Sequence, residues 1–146
     1  MSLIVSGADM ITAHGWGRRK VFEKMCSGEV AVSKIENFDP INYRSKHAYE
    51  IKSADKLQYR SSDWLISAIK AAISDADLDI KNQRVAVIVG TGLREQASLE
   101  RWHCEGEEFD IARLHYETAV CEALGHIVPV YTIVNACAAS LCALQI

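Results

Sequence analysis

Apolar residues change their spacing several times along this chain, and each change marks an element. Arg84-Val85-Ala86-Val87-Ile88-Val89-Gly90 is apolar without alternation. That pattern predicts a strand buried on both faces, as in a central parallel strand covered by helices. Val130-Tyr131-Thr132-Ile133-Val134 is a second β-branched and aromatic run, preceded by His126-Ile127-Val128-Pro129. Leu65, Ile66, Ile69, Ala72 and Ile73 make one helical stripe, which opens at Ser61-Ser62-Asp63, where a serine is able to cap, and ends near Asp77-Leu78. Val21, Phe22 and Met25 share helical spacing within Arg18 to Cys26, and Ser27-Gly28 stops that helix. Leu3-Ile4-Val5 reads as a short strand ended by Gly7, with a loop from Ile11 to Gly15. Glu29 to Arg60 has little periodicity beyond the turn signal Asn37-Phe38-Asp39-Pro40 and a short strand at Ala48 to Ile51. A polar helix is expected from Arg94 to Glu105, then an acidic turn through Asp110. A second helix follows from Ile111 to Leu124, with Ala112, Leu114 or His115, Ala119 and Leu124 partly inward and Gly125 as its stop. Strands alternating with helices predict an α/β layered fold with a largely parallel sheet.

Composition narrows the partners. The 146 residues fit one ordinary domain, and 49% apolar content is enough for a core. A formal charge of −3 without any basic run argues against nucleic acid or an anionic membrane. No apolar run reaches the length of a membrane span, and no basic, then apolar leader opens the chain. A soluble, cytoplasmic protein is the expectation. The five cysteines, Cys26, Cys104, Cys121, Cys137 and Cys142, are odd in number and include no CxxC, which argues against disulfides or structural zinc. His103-Cys104 with His115 matches no familiar metal spacing. Gly90-Thr91-Gly92 follows a strand but is not followed by Lys-Ser/Thr, so a phosphate loop is not indicated. No metal or cofactor is expected. His14 and His47 read as surface residues.

Chemistry concentrates at Cys137. It falls where the strand Val130 to Val134 turns at Asn135 into a helix of small residues, Ala136 to Leu144. Unpaired backbone N–H groups at such a junction favour negative charge, so a thiol there ionises more readily and becomes a nucleophile. The same N–H groups can hold an oxyanion formed on an attacked carbonyl. The competing reading is a small buried hydrophobe, which is what most free cysteines are.

Asn135-Ala136-Cys137-Ala138-Ala139-Ser140 resembles the nucleophile motif of the β-ketoacyl synthases, condensing enzymes of the thiolase superfamily, whose usual form is Thr-Ala-Cys-Ser/Ala-Ser/Ala-Gly. Asn135 stands in place of the Thr and Ser140 in place of the Gly. The resemblance extends along the chain in order. Ser6-Gly7, Thr12-Ala13-His14-Gly15 and Phe22 to Gly28 match the family's opening. Ile35-x-x-Phe38-Asp39, Ile73 to Leu78 (with Asp77 where Gly is usual), Val89-Gly90-Thr91-Gly92 and the segment before Val130 follow.

The resemblance implies a thiolase-like layered fold, with a mostly parallel mixed sheet covered by helices. Residues 1–146 would be an incomplete N-terminal ketosynthase domain, truncated after the nucleophile helix begins. It implies an acyltransferase of fatty acid or polyketide synthesis. There Cys137 accepts an acyl group from acyl carrier protein, its own N–H serves as one oxyanion donor, and a malonyl thioester is decarboxylated to attack that group. The family's two histidines, its lysine and its second oxyanion N–H come from the C-terminal half. His14, His47, His103, His115 and His126 match none of those motifs. The chain is therefore expected to be inactive alone or only self-acylating. It is also expected to associate, as a homodimer or with a partner subunit, through an exposed run at Leu141, Leu144 and Ile146. A non-catalytic thiolase-fold subunit that pairs with a condensing enzyme is the alternative. A third is a binding domain whose Cys137 packs a core.

Overall fold

In the early part of the chain the strands are only two residues long. The computed structural model describes residues 4–52 and 60–145. Strand β1 (Ile11–Thr12) pairs antiparallel with β2 (Gly15–Trp16), so the expected loop from Ile11 to Gly15 is a tight hairpin. Ile4 and Val5 form no strand and are 85% and 86% exposed; Leu3 lies outside the described residues. Strand propensity is expressed only against a partner, and these residues have none among the described ones. Helix α1 (Arg18–Cys26) forms as expected. It buries Val21 but leaves Phe22 and Met25 exposed, and Gly28 at φ 73° follows its end. Strands β3 (Ser33–Lys34) and β4 (His47–Ala48) pair antiparallel. The latter begins one residue earlier than expected and is shorter. His47 is exposed.

The chain divides into two compact units, the first comprising Met1–Lys56 with Ala68–Asp77 and the second Leu57–Ser67 with Leu78–Ile146. Helix α2 (Arg60–Asp75) contributes to both. In the first unit, the Asp75 carboxylate accepts the Ala8 N–H at 3.1 Å and pairs with Arg18. The first unit's core includes Val21 and Ile35. Asp77, where the resembling family has glycine, sits at φ 50°, the left-handed conformation that glycine adopts most cheaply. Ser61 and Ser62 do not cap α2: the helix already includes Arg60, and both serines bond across the second unit.

The second unit is built on two parallel strands. Strand β5 (Val87–Thr91) pairs with β6 (Val130–Val134), Val87 opposite Val130 and Thr91 opposite Val134. The first starts three residues later than the apolar run. Between them lie helix α3 (Gln96–Glu105) and helix α4 (Glu117–Leu124), the latter preceded by a 3-10 turn at Ile111–His115. The single helix expected from Ile111 to Leu124 is therefore broken. Tyr116 adopts φ 60° at the break and buries its ring. Ala112 is exposed rather than inward, because its amide is spent on the Asp110 carboxylate at 2.9 Å, which caps the 3-10 turn. Gly125 ends α4 at φ 73°. Val89, Tyr116, Ala119, Val120, Val128 and Ala139 form the core of this unit. Of the three ladders among the described residues, one is parallel and two are antiparallel, so the largely parallel sheet is realised only in β5 and β6.

Candidate nucleophile turn

Strand β6 ends at Val134, and the chain must then reverse onto helix α5 (Ala139–Leu144) within four residues. It does so through a 3-10 turn at Ala136–Ala138. Ala136 takes φ 35°, a left-handed value that costs a non-glycine residue about 1 kcal/mol or more. The turn is closed by the Ala138 N–H on the Asn135 carbonyl at 2.9 Å and by the Ala139 N–H on the Ala136 carbonyl. Those two bonds leave the Cys137 N–H out of the turn's own bonding, as the first amides of any helical segment are left. Cys137 itself is exposed. The reading of this residue as a buried core hydrophobe is corrected: the sharp reversal turns its side chain outward.

Two further features hold the turn in place. Gly90 of β5 lies directly under the start of α5: a Cβ on it would meet the Ala139 carbonyl oxygen at 2.5 Å and carbon at 2.7 Å. The bare glycine lets the two backbones touch, the close approach that a strand glycine often marks. Asn135 donates its side-chain amide to the Cys142 sulfur at 3.1 Å, tying the residue that replaces the family's threonine to the first turn and a half of α5. Ala139 is buried, while Leu141 and Leu144 are 67% and 77% exposed, as expected; Tyr131 and Val134 of β6 are exposed as well. Ile146 lies outside the described residues.

The His126 ring bonds the Leu124 carbonyl at 3.0 Å, and the His115 carbonyl accepts the Thr132 hydroxyl. His103 and Cys104 line a cavity of about 560 Å³ with Leu93, Leu99, Trp102 and Leu114. Cys137 lines neither that cavity nor a second of about 580 Å³ beside Trp102, Phe109 and Arg113. Among the described residues, no group of three or more His, Cys, Asp or Glu is placed to hold a metal ion. No described helix is long and apolar enough to cross a membrane. The turn offers an accessible thiol and, among the described residues, a Cys137 amide outside the turn's bonding, which is the minimum for accepting an acyl group from a thioester.

Sequence reading missed the supports around the turn. Gly90 carried a signal, a glycine closing an apolar strand, but its partner in α5 could not be named from it. Glu95, 1% exposed, gave none, because a carboxylate at the start of an expected polar helix reads as solvated.

No protein-family model matches the chain. It is 27% identical over 113 residues to a Streptomyces coelicolor protein named as actinorhodin polyketide beta-ketoacyl synthase 1, covering 68% of this chain and 24% of the relative. The chain thus spans about a quarter of the length of that curated relative. The solved structure of the ishigamide ketosynthase/chain length factor superposes with a TM-score of 0.66 at 21% identity, covering 90% of this chain and 39% of that one. The chain is β-ketoacyl-synthase-like over part of that family's length, and its α/β fold is that of a ketosynthase portion.

Proposed function

We propose that the chain is a portion of a β-ketoacyl synthase, in which residues 1–146 correspond to the N-terminal part of a thiolase-like layered domain and Cys137 is the acyl-accepting nucleophile. The observation that carries this is the exposed thiol on a reversal at the C-terminal end of a parallel strand, with its own amide outside the turn's bonding.

In this reading Cys137 gives up its proton and its sulfur attacks the carbonyl carbon of an acyl thioester. A carbon–sulfur bond forms and the carbonyl electrons move onto oxygen, where the Cys137 N–H meets the charge. Collapse of this intermediate breaks the donor's carbon–sulfur bond and expels its thiolate, which takes up a proton. Acyl carrier protein is the proposed donor. The second step is decarboxylation of a malonyl thioester and attack of the resulting carbanion on acyl-Cys137. It requires aligned donors for the malonyl carbonyl, and no residue of this chain is assigned to it. The chain by itself is therefore expected to self-acylate at most. Its pairing, with a second copy or with a partner subunit, and its place in fatty acid or polyketide synthesis belong to the same proposal.

A second reading is a non-catalytic subunit that pairs with a condensing enzyme. Asn135 and Ser140, at positions where the resembling family has Thr and Gly, and the similarity to a ketosynthase/chain length factor favour it. Intact-protein mass spectrometry separates the two. After incubation with an acyl thioester or a cerulenin-like epoxide, one adduct that disappears in Cys137→Ala is expected. Labelling that survives this substitution would refute the nucleophile. A folded, unlabelled wild-type chain would favour the non-catalytic subunit.

A further inference from the structure

Both strands that deliver Cys137 are tied to one buried polar cluster at the first turn of α2. On the β5 side, Thr91 pairs with Val134, the last ladder residue before the nucleophile turn. The Thr91 hydroxyl accepts the Arg94 N–H at 2.9 Å, closing a four-residue turn in which Gly92 faces the Ala136 carbonyl. Arg94 then adopts φ 55°, which directs its carbonyl to the Ser61 hydroxyl at 3.1 Å. Next in sequence, Glu95 is buried with one carboxylate oxygen on the Ser62 N–H and the other accepting the Ser98 hydroxyl at 3.1 Å. The early amides of α2 supply the favourable end of the helix dipole to this charge. On the β6 side, Thr132 bonds the His115 carbonyl, and the next residue, Tyr116, places its hydroxyl 3.0 Å from Ser61. Ser61 has one proton. If that proton goes to the Arg94 carbonyl, the Tyr116 hydroxyl donates to Ser61.

Two residues in left-handed conformations, Arg94 and Tyr116, thus converge on Ser61. Each costs about 1 kcal/mol or more and persists only where its surroundings hold it. We propose that Ser61, Glu95 and Tyr116 are positioning residues for Cys137: they fix the turn after β5 and the flank of β6, and so set where the thiol and its amide stand. The role for acyl transfer rests on the function proposed above.

The test uses the full chain with Tyr116→Phe, Glu95→Gln, Ser61→Ala and Ser61→Thr. Alkylation by iodoacetamide is followed across pH at Cys137, with the exposed Cys26 and Cys104 of the same molecule as references. Acylation by an acyl N-acetylcysteamine thioester is followed in parallel. A sub-ångström to ångström displacement of a reacting group reduces rates by about tenfold or more. We therefore expect Cys137 to slow about tenfold in Tyr116→Phe, Glu95→Gln and Ser61→Ala, with Ser61→Thr restoring most of the rate and the reference cysteines unchanged. Tyr116→Phe keeps the buried ring and carries the test if Glu95→Gln does not fold. Unchanged Cys137 rates in a folded Tyr116→Phe, or equal changes at all three cysteines, would overturn the proposal. If wild-type Cys137 alkylates but never acylates, while its alkylation still slows in the variants, the acyl-transfer reading fails and the positioning role stands.

Discussion

Replacing Gly90 by alanine sets two effects of opposite sign against each other. Gly90 has no left-handed φ, so alanine suits its backbone, and restricting the unfolded chain would by itself stabilise the protein by about 0.4–1 kcal/mol. Against this, the new Cβ would stand 2.5 Å from the Ala139 carbonyl oxygen, 2.7 Å from its carbon and 3.0 Å from the Ser140 amide nitrogen. All three are backbone atoms of the α5 start, so no side chain can swing away to make room. Overpacking of this kind costs about 1–3 kcal/mol. The clash wins, and the net loss is about 1–2 kcal/mol, or a fall of roughly 3–6 °C in Tm for a chain of this size. Gly92→Ala is the control, since its Cβ would find only the Ala136 oxygen, at 3.9 Å, and should change stability by less than about 0.5 kcal/mol. Urea unfolding of both variants, followed by circular dichroism, reads the difference. If Gly90→Ala is as stable as wild type, or if Gly92→Ala is the worse of the two, then α5 does not rest on β5 as described and the steric account of the turn at Cys137 is wrong.

Ala136→Gly removes the penalty of φ 35° and should raise the urea midpoint by the equivalent of about 0.5–1 kcal/mol; a lowered midpoint would contradict a strained turn. Glu50 pays a small desolvation cost, which the Glu36 and Asn37 N–H groups and the Asn37 side-chain amide outweigh, so its carboxyl lies below the usual 4.5. A depressed carboxyl contributes stability above its unfolded value and loses it as pH falls through the folded one. Glu50→Gln should therefore weaken the chain near neutrality and flatten its pH dependence below 4.5; equal slopes in wild type and variant over that range would count against the bonds. The exposed Tyr131, Val134, Leu141 and Leu144 predict self-association, measured by sedimentation and reduced by Leu141→Glu with Leu144→Glu; a monodisperse, cooperatively unfolding wild-type monomer would refute it.

The elements that the sequence disclosed were those whose pattern is local. The β-branched run at Val130 to Val134 and the apolar stripe at Leu65 to Ile73 each state their period within one element, and β6 and α2 lie there. The turn that carries Cys137 was legible for a similar reason, since a strand, an asparagine and a small-residue helix leave little choice about where that residue falls. What stayed hidden depends on partners far along the chain. Nothing near Tyr116 announces a break. Its left-handed backbone is coupled to a hydroxyl contact with Ser61, 55 residues away. The serines at Ser61 and Ser62 looked like caps, but the Ser61 hydroxyl goes to the Arg94 carbonyl and the Ser62 backbone N–H to the Glu95 carboxylate, both 33 residues away. The hairpin at Ile11 to Trp16 was missed because strands of two residues contain no alternation to detect.

The parallel pairing of β5 with β6 also has a kinetic side. Thr91 and Val134 stand 43 residues apart, as do Val87 and Val130. The chain between them must close as one long loop before the first ladder bond can form, and that entropy is spent ahead of any gain from pairing. Helices α3 and α4 have local contacts and can appear early. The ladder, and with it the reversal that carries Cys137, has to assemble late in folding. During that interval the two apolar strands have unpaired edges, which makes the moment before closure the one at which this chain is most open to pairing with another copy of itself.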